Sequence, residues 1–275
     1  MDMLDKLSLA GLVPVIKVEK AEDAVPLCEA LDRGGLPVAE ITFRTAAAEQ
    51  AIRNVHAQRP DILLGAGTVL TTEQVDRAID AGAGYIVSPG FNPAVVQHCG
   101  RRGIAVLPGC ANPSDIEMAL SMGIETIKFF PAEALGGLGM IKALAAPYTQ
   151  VRFVPTGGIN EKNFLDYLAF PKVRAVGGSW MVPDDAVVAG DWARIEHLTR
   201  SAISKMLGME VLGLPPRGER GPLSIGVNDM RRARWHLERR GYRFGGASET
   251  AENGKPVAHF LQDDIAHFSL RLEQK

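Results

Sequence analysis

Eight short apolar runs recur along the first 207 residues of this chain, and each leads through a turn into an amphipathic segment. The starts of the runs are about 20 to 26 residues apart, a spacing that suits alternating strands and helices joined by short loops. The predicted strands lie at residues 13–18, 38–42, 62–66, 85–88, 105–108, 126–130, 152–156 and 174–178. Eight such units predict an α/β chain folded as a closed (β/α)8 barrel, the TIM-barrel fold.

The intervening segments carry helical periodicity. Helices are predicted at residues 21–33, 72–81 and 183–207, of which the last is the longest. An open doubly wound sheet is the competing architecture, and it would normally place a glycine fingerprint after its first strand. Here the first strand ends in Lys17 and Val18 and is followed by Glu19, which favours the barrel.

One lysine stands inside an apolar strand. Side chains alternate along a strand, so Lys128 shares a face with Thr126 and Phe130. Burial disfavours the charged form of an amine, and the neutral amine is the nucleophile that forms Schiff bases. The alternative is a lysine that extends from the strand end into solvent.

Polar residues follow the predicted strands, where (β/α)8 proteins gather their chemistry. Glu40 is in phase with Val38 and is predicted to point inward. Glycine pairs follow the last two strands, where backbone N–H groups can approach an anion, and Ser179 adds a hydroxyl donor. The expected substrate therefore carries a phosphate at one end and a ketone near Lys128.

Composition narrows the classes of partner. The chain is 46% hydrophobic with a net charge of -2, which predicts a large core and neither nucleic acid nor membrane as partner. The apolar run at residues 9–16 is too short to span a membrane and contains Pro14. The cysteines Cys28, Cys99 and Cys110 cannot all pair and lack metal-site spacing, so a reducing cytoplasm is expected.

Seven ordered motifs between Leu12 and Leu207 resemble the 2-keto-3-deoxy-6-phosphogluconate (KDPG) aldolase family, which also includes 4-hydroxy-2-oxoglutarate (KHG) aldolases. The motifs are Pro14-Val15-Ile16, Glu40-Ile41-Thr42-Phe43-Arg44-Thr45, Gly65-Ala66-Gly67-Thr68-Val69, Ser88-Pro89-Gly90, Lys128-Phe129-Phe130-Pro131-Ala132-Glu133, Pro155-Thr156-Gly157-Gly158-Ile159 and Gly177-Gly178-Ser179-Trp180.

The resemblance implies a Schiff-base (class I) aldolase that uses no cofactor and no metal. It implies that Lys128 is the Schiff-base lysine and Glu40 the acid and base. The implied substrate-binding residues are Arg44 and Thr68 for the pyruvyl group, Pro89 and Phe130 for the pocket wall, and Thr156, Gly157, Gly158 and Ser179 at the phosphate corner. Lys17, a further cation at this end, is also counted with the substrate-binding residues; it either lowers the pKa of Lys128 through its field or is a surface residue.

The implied substrates are KDPG, cleaved to pyruvate and glyceraldehyde 3-phosphate, and KHG, cleaved to pyruvate and glyoxylate. The family also implies a homotrimer. Two alternatives stay open: a non-catalytic phosphosugar sensor, and a metal-dependent aldolase or phosphosugar isomerase. A sensor would not require both Lys128 and Glu40 to point inward, and a metal enzyme needs His or carboxylate ligands that the strand ends lack apart from Glu40.

A second unit is predicted after the barrel. Residues 1–210 form the predicted aldolase barrel, residues 211–222 a proline- and glycine-rich linker, and residues 223–275 a small α+β module. Its predicted order is a strand at 223–227, a helix capped by Asn228 or Asp229 and ending near Arg240, extended chain from 241, and strands at 257–261 and 267–272.

This βαβββ order resembles half of a glyoxalase/bleomycin-resistance module. The first strand of that family commonly opens with a histidine ligand, but this position holds Pro222 or Leu223. A metal site built from His259, His267 and Glu273 is not favoured by their spacing. The arginines at 231, 232, 234, 239 and 240 are offset by nearby acids and predict a solvated helix face. The predicted role of the module is self-association or docking on the barrel.

Overall fold

The computed structural model describes residues 1–214, 222–250, 256–262 and 269–275. The chain divides into two compact units, Met1–Ser201 and Ala202–Lys275. Within the described residues no helix is long and apolar enough to cross a membrane.

The first unit alternates strands and helices. Its strands are β1 (Leu12–Ile16), β2 (Val38–Thr42), β3 (Leu63–Gly67), β4 (Tyr85–Val87), β5 (Ala105–Leu107), β6 (Thr126–Phe129), β7 (Arg152–Pro155) and β8 (Val176–Gly178). Its helices are α1 (Met3–Ala10), α2 (Ala24–Arg33), α3 (Ala48–Gln58), α4 (Thr72–Ala81), α5 (Pro93–Arg102), α6 (Pro113–Ser121), α7 (Gly137–Ala145), α8 (Phe164–Ala169), α9 (Asp184–Ala189) and the start of α10 (Trp192–Leu207).

All eight strands of this unit are parallel and form a curled sheet. Six of them pair in the order β5-β4-β3-β2-β1-β8, and β6 pairs with β7. Isolated parallel bridges join Gly109 to Lys128 and Thr156 to Gly177, so β6 adjoins the segment after β5 and the end of β7 adjoins β8. The unit is therefore an α/β fold whose parallel strands lie side by side in a curled sheet.

The two faces of the curled sheet differ in chemistry. Outward-facing residues such as Ala39 and Ile41 pack with Leu31 and Ile52 from the surrounding helices in one apolar core. On the inner face the strand register places Glu40 of β2 beside Gly65 of β3, and Gly65 beside Tyr85 of β4. The Tyr85 ring occupies the space above Gly65, where a Cβ atom would lie 2.2 Å from the ring. The Tyr85 hydroxyl donates to the Ala39 carbonyl at 3.2 Å.

Some predicted boundaries were wrong. The predicted helix at 21–33 is a 3-10 turn, Ala21–Asp23, followed by α2. The predicted helix at 183–207 is two helices, because Gly190 has a φ of 66° and ends α9. The predicted first strand extends to residue 18, but β1 ends at Ile16. The helix predicted at 72–81 is confirmed as α4, whose first turn is capped by the Thr71 side chain.

Among its described residues, the second unit contains the end of α10, a five-stranded sheet and a further helix. Its elements after α10 are β9 (Glu210–Gly213), β10 (Leu223–Val227), α11 (Met230–Arg239), β11 (Phe244–Thr250), β12 (Pro256–Leu261) and β13 (Leu270–Gln274). The strand order is β11-β12-β13-β10-β9, in which only β10 and β13 are parallel. Asp229 caps α11 by accepting from the backbone N–H groups of Arg231 and Arg232.

The strand β9 was not predicted, and it overlaps the predicted linker at residues 211–222. Val211 pairs with Ile225 of β10, and the Leu212 side chain packs beside Gly226. The remainder of that predicted linker, residues 215–221, lies outside the described residues.

The residues considered for a metal site in this unit are not arranged as one. His259 pairs with Leu272 while Ala258 pairs with Glu273, so His259 and Glu273 lie on opposite faces of the sheet. The third residue, His267, lies outside the described residues, as do Asp263 and Asp264, two of the acids predicted to offset the arginines at 231–240.

Candidate active site

A buried lysine and a buried glutamate lie inside the curled sheet. Lys128 is 6% exposed on β6 and Glu40 is 3% exposed on β2. The Lys128 Nζ atom donates to Glu40 Oε1 at 3.4 Å. Removing two such groups from water is costly unless they are paired, so each stabilises the other in this interior. At this distance a proton can pass between the amine and the carboxylate after a small movement.

The neighbouring strand leaves room for the carboxylate. A Cβ atom on Gly67 of β3 would lie 2.3 Å from Glu40 Oε1, so only glycine accommodates the glutamate in this position. The next residue, Thr68, has a φ of 56°, in the left-handed region that a β-branched residue rarely adopts. The loop after β3 therefore begins beside the Glu40 carboxylate, and its first residue, Thr68, has a strained backbone.

The Phe130 ring forms one wall beside the amine. The Lys128 Nζ atom lies 5.2 Å from the centre of this ring. The half-buried Phe130 follows β6 directly and lies on the same side of the strand as Lys128. The ring shields the amine from water and faces its charge when the amine is protonated.

Thr42 orients a second cation at the end of β2. Its hydroxyl donates to the Ile16 carbonyl at 2.8 Å and accepts from Arg44 Nε at 3.1 Å. Among the described residues no carboxylate forms an ion pair with Arg44, which is exposed. The guanidinium is thus anchored through Nε and has Nη donors for an anion.

Lys17 lies at the surface rather than against the buried pair. Its Nζ atom is 2.6 Å from Glu19 Oε1. The hydrogen bond to Glu19 raises the pKa of Lys17, Asp184 adds to this effect, and Arg44 opposes it. The role of Lys17 in substrate binding stays a prediction.

The glycine-rich corner is assembled from β7 and β8. Thr156 bridges to Gly177, where a Cβ atom would lie 2.4 Å from the Thr156 hydroxyl. Gly157 and Gly158 have φ values of 96° and 82°, a left-handed conformation that glycine adopts without a steric cost. Ser179 is exposed directly after Gly178.

This corner adjoins the buried pair through Phe130. A Cβ atom on Gly157 would lie 3.2 Å from the Phe130 ring. Two asparagine side chains hold the loop, since Asn160 and Asn163 donate to the Gly158 carbonyl at 3.0 and 3.2 Å.

Pro89 and Cys110 occupy the other side, after β4 and β5. The Pro89 carbonyl lies so close to Gly109 that a Cβ atom there would be 2.1 Å away. The Cys110 thiol is buried beside the Pro108 carbonyl at 3.8 Å, and burial raises its pKa to about 12. Its thiolate is therefore scarce near neutral pH, which makes Cys110 a poor nucleophile.

Four residues that position the site were not predicted as site residues. Gly67 gives space to Glu40, Thr42 anchors Arg44, and Asn160 and Asn163 hold the loop after β7. Strand alternation could have identified Thr42, which shares the face of Glu40. The other three depend on contacts between strands or within a loop, which periodicity does not reveal.

The described residues contain no group of three or more His, Cys, Asp or Glu that could hold a metal ion. That the reaction needs no metal and no cofactor stays a prediction.

Together, the parallel sheet and the polar residues along its inner face define an α/β protein with a buried lysine–glutamate pair at its candidate site. The sequence model of the KDPG and KHG aldolases matches residues 3–198. A 2-dehydro-3-deoxy-phosphogluconate aldolase of Treponema pallidum is 50% identical over 201 residues, covering 73% of this chain and 96% of the relative. A KHG/KDPG aldolase of Escherichia coli K12 is 44% identical over 197 residues, covering 72% and 92%.

Solved structures of KDPG aldolases are also similar to this chain. The KDPG aldolase of Legionella pneumophila, with pyruvate captured at low pH as a covalent carbinolamine intermediate, superposes with a TM-score of 0.71 and 41% identity. It covers 72% of this chain and 97% of its own. The Zymomonas mobilis aldolase with 3-phosphoglycerate gives a TM-score of 0.68 at 42% identity, covering 72% and 94%. The chain belongs to the KDPG and KHG aldolase family and is an aldolase, a carbon–carbon lyase.

Proposed function

We propose that this chain is a class I aldolase that cleaves KDPG to pyruvate and glyceraldehyde 3-phosphate through a Schiff base on Lys128. The observation that carries the proposal is the 3.4 Å contact between the buried Lys128 amine and the buried Glu40 carboxylate. A nucleophilic amine and an acid–base group within reach of one another are what iminium chemistry requires.

The first half of the reaction builds the iminium. Glu40 accepts a proton from the Lys128 ammonium, and the neutral amine adds to the C2 ketone to give a carbinolamine. Glu40 then returns a proton to the carbinolamine hydroxyl, which leaves as water. The resulting iminium withdraws electrons from the bond between C3 and C4.

The second half breaks that bond. Glu40, directly or through one water, takes the proton of the C4 hydroxyl as C3 and C4 separate. Glyceraldehyde 3-phosphate leaves with its aldehyde at the former C4, and the electron pair stays on an enamine. Protonation at C3 and hydrolysis release pyruvate and regenerate the Lys128 amine.

Substrate binding follows from the two ends of the site. Arg44, held by Thr42, pairs with the C1 carboxylate, and Thr68 supplies a hydroxyl to the same pyruvyl group. Pro89 and Phe130 form the pocket wall. Thr156, Gly157, Gly158 and Ser179 receive the phosphate, with Lys17 as an additional surface cation.

Several finer features belong to the same proposal. The two bridges between strand pairs support a closed (β/α)8 barrel. The shared family name supports KHG cleavage to pyruvate and glyoxylate as a second activity, and we expect a cytoplasmic homotrimer. The resemblance of the segment at 223–275 to half of a glyoxalase fold also stays a proposal.

The direct test is pyruvate release from KDPG and from KHG, each with and without a chelator. We expect release from KDPG that the chelator leaves unchanged. No release from either substrate would favour a phosphosugar sensor, and loss of release with the chelator would favour a metal-dependent aldolase.

A further inference from the structure

The second unit contains a cavity of about 530 Å³ that the aldolase reaction does not use. It lies between the last turns of α10, the strand β9, one face of the sheet and the end of α11. We call it the module cavity. Its apolar lining includes Ile203, Leu207, Ile225, Leu261, Leu270 and Leu272.

The floor of the module cavity is apolar and recessed. Ile203, Leu207, Leu261 and Leu272 are between 2% and 7% exposed. The strand register pairs Ile225 with Leu272, so both side chains lie on the face that lines the cavity. The volume of about 530 Å³ lies in the range of small-molecule sites. An apolar ligand would make van der Waals contacts with the lining side chains that neither an empty cavity nor water provides.

The rim of the cavity carries one cation without a carboxylate partner. Glu210 at the rim is already neutralised, since the Lys275 Nζ atom lies 2.9 Å from Glu210 Oε2. Arg240 is exposed at the rim, and among the described residues no carboxylate forms an ion pair with it.

The arginines of α11 itself are engaged. Arg231 and Arg232 contact Asp229, and Arg234 contacts Glu238. The Arg239 guanidinium lies 5.3 Å from the centre of the Trp235 ring. Arg240 thus differs from its neighbours in facing a cavity instead of a partner.

We propose that the module cavity binds a small amphipathic monoanion, with an apolar body on the leucine floor and an anionic head on the Arg240 guanidinium. One unneutralised cation at the rim matches one negative charge, and a guanidinium pairs with a carboxylate through two parallel hydrogen bonds. The apolar floor supplies affinity and Arg240 supplies selection for the anion.

The test is calorimetric titration of the full chain with decanoate, hexanoate and decanol. Decanoate binds more tightly than decanol. It also binds more tightly than hexanoate, by roughly threefold to fourfold for each added methylene. Arg240→Gln weakens decanoate binding about tenfold or more and leaves decanol binding unchanged. Arg239→Gln is the matched control, because it removes an exposed charge one residue away and leaves decanoate binding at the wild-type value.

A second variant tests the floor independently. Leu270→Phe fills part of the cavity from a half-buried position, and decanoate binding falls at least tenfold while the melting temperature holds. If this variant fails to fold, the arginine pair still decides. The proposal is overturned if decanoate does not bind at about 1 mM, if the two arginine variants lose equal affinity, or if decanol binds as tightly as decanoate.

Discussion

At the scale of single residues, the site depends on one amine and one carboxylate that share an interior. Lys128 and Glu40 come from strands far apart in sequence, and within the described residues the side-chain hydrogen bond of each is with the other. A change to either residue leaves a buried group without its partner, which affects both chemistry and folding. The variants below therefore need folding controls as well as rate measurements.

We expect borohydride with pyruvate to inactivate the protein and to label Lys128, because reduction converts the iminium into a stable amine. Lys128→Ala abolishes both labelling and cleavage. Lys142 is the comparison lysine and should stay unlabelled. Its Nζ atom also lies near an aromatic ring, 5.9 Å from the centre of Phe170, but the residue is exposed on α7. Peptide mapping by mass spectrometry checks the site, and an adduct on Lys142 or Lys17 would show that the nucleophile is assigned incorrectly.

Glu40→Gln tests the acid and base. Glutamine keeps the size and the hydrogen bonding of the side chain but does not shuttle protons, so kcat falls about 100-fold or more. Glu19→Gln, which alters the exposed ion pair with Lys17, is the control and keeps near wild-type kcat. Near-normal turnover of folded Glu40→Gln would remove Glu40 from the mechanism.

Ser179→Ala separates the two substrates. The phosphate of KDPG loses one hydrogen bond to a charged group, worth about 1.5 to 3 kcal/mol, so kcat/KM for KDPG falls roughly tenfold or more. KHG carries no phosphate and keeps most of its kcat/KM. Steady-state kinetics on both substrates provide the measurement, and equal losses would mean that the phosphate binds away from Ser179.

At the scale of elements, β3 determines where the Glu40 carboxylate lies. Gly65 and Gly67 both face the interior, the first beneath the Tyr85 ring and the second against Glu40. Because neither glycine has a side chain, the inner face of β3 leaves space for the side chains of neighbouring strands, although its backbone pairs normally. The strand thus shapes the site without supplying a reacting group.

Gly67→Ala tests this role of β3. The added methyl group would lie 2.3 Å from Glu40 Oε1, so the carboxylate must move and kcat falls. Gly90→Ala is the matched control, because no atom lies within 4 Å of the added methyl group. Kinetics and thermal unfolding of both variants provide the check, and unchanged kcat in Gly67→Ala would show that Glu40 tolerates displacement.

Sequence patterns predicted the strands and the central pair because they rest on local rules. Alternation within an apolar run is enough to place Lys128 and Glu40 on inner faces. The break at Gly190 and the pairing of β9 were missed, because they depend on a left-handed backbone conformation and on a partner strand. The loop held by Asn160 and Asn163 was also missed, because the identity of an asparagine does not indicate which carbonyl its side chain will contact.

At the scale of the whole molecule, the second unit contributes no residue to the proposed reaction. A chain ending at Met209 keeps every proposed catalytic residue and ends after α10. It also uncovers Ile203 and Leu207, which are buried in the full chain and line the module cavity. We expect cleavage of KDPG to persist and solubility to fall, as exposed apolar side chains promote association.

Activity and light scattering of the truncated and full chains, measured side by side, check this expectation. Substituting polar residues at positions 203 and 207 of the truncated chain should restore solubility. Loss of cleavage in a truncated chain that stays folded would instead assign the second unit a part in the reaction.

The left-handed backbone of Thr68 has a consequence for how this protein changes under selection. A threonine in that conformation costs on the order of 1 kcal/mol of folding free energy, a cost that glycine would not incur. Glycine would also delete the hydroxyl proposed to hold the pyruvyl group. A screen for thermal stability alone should therefore enrich substitutions at Thr68 that raise the melting temperature and lower turnover. A screen for KDPG cleavage should retain the threonine.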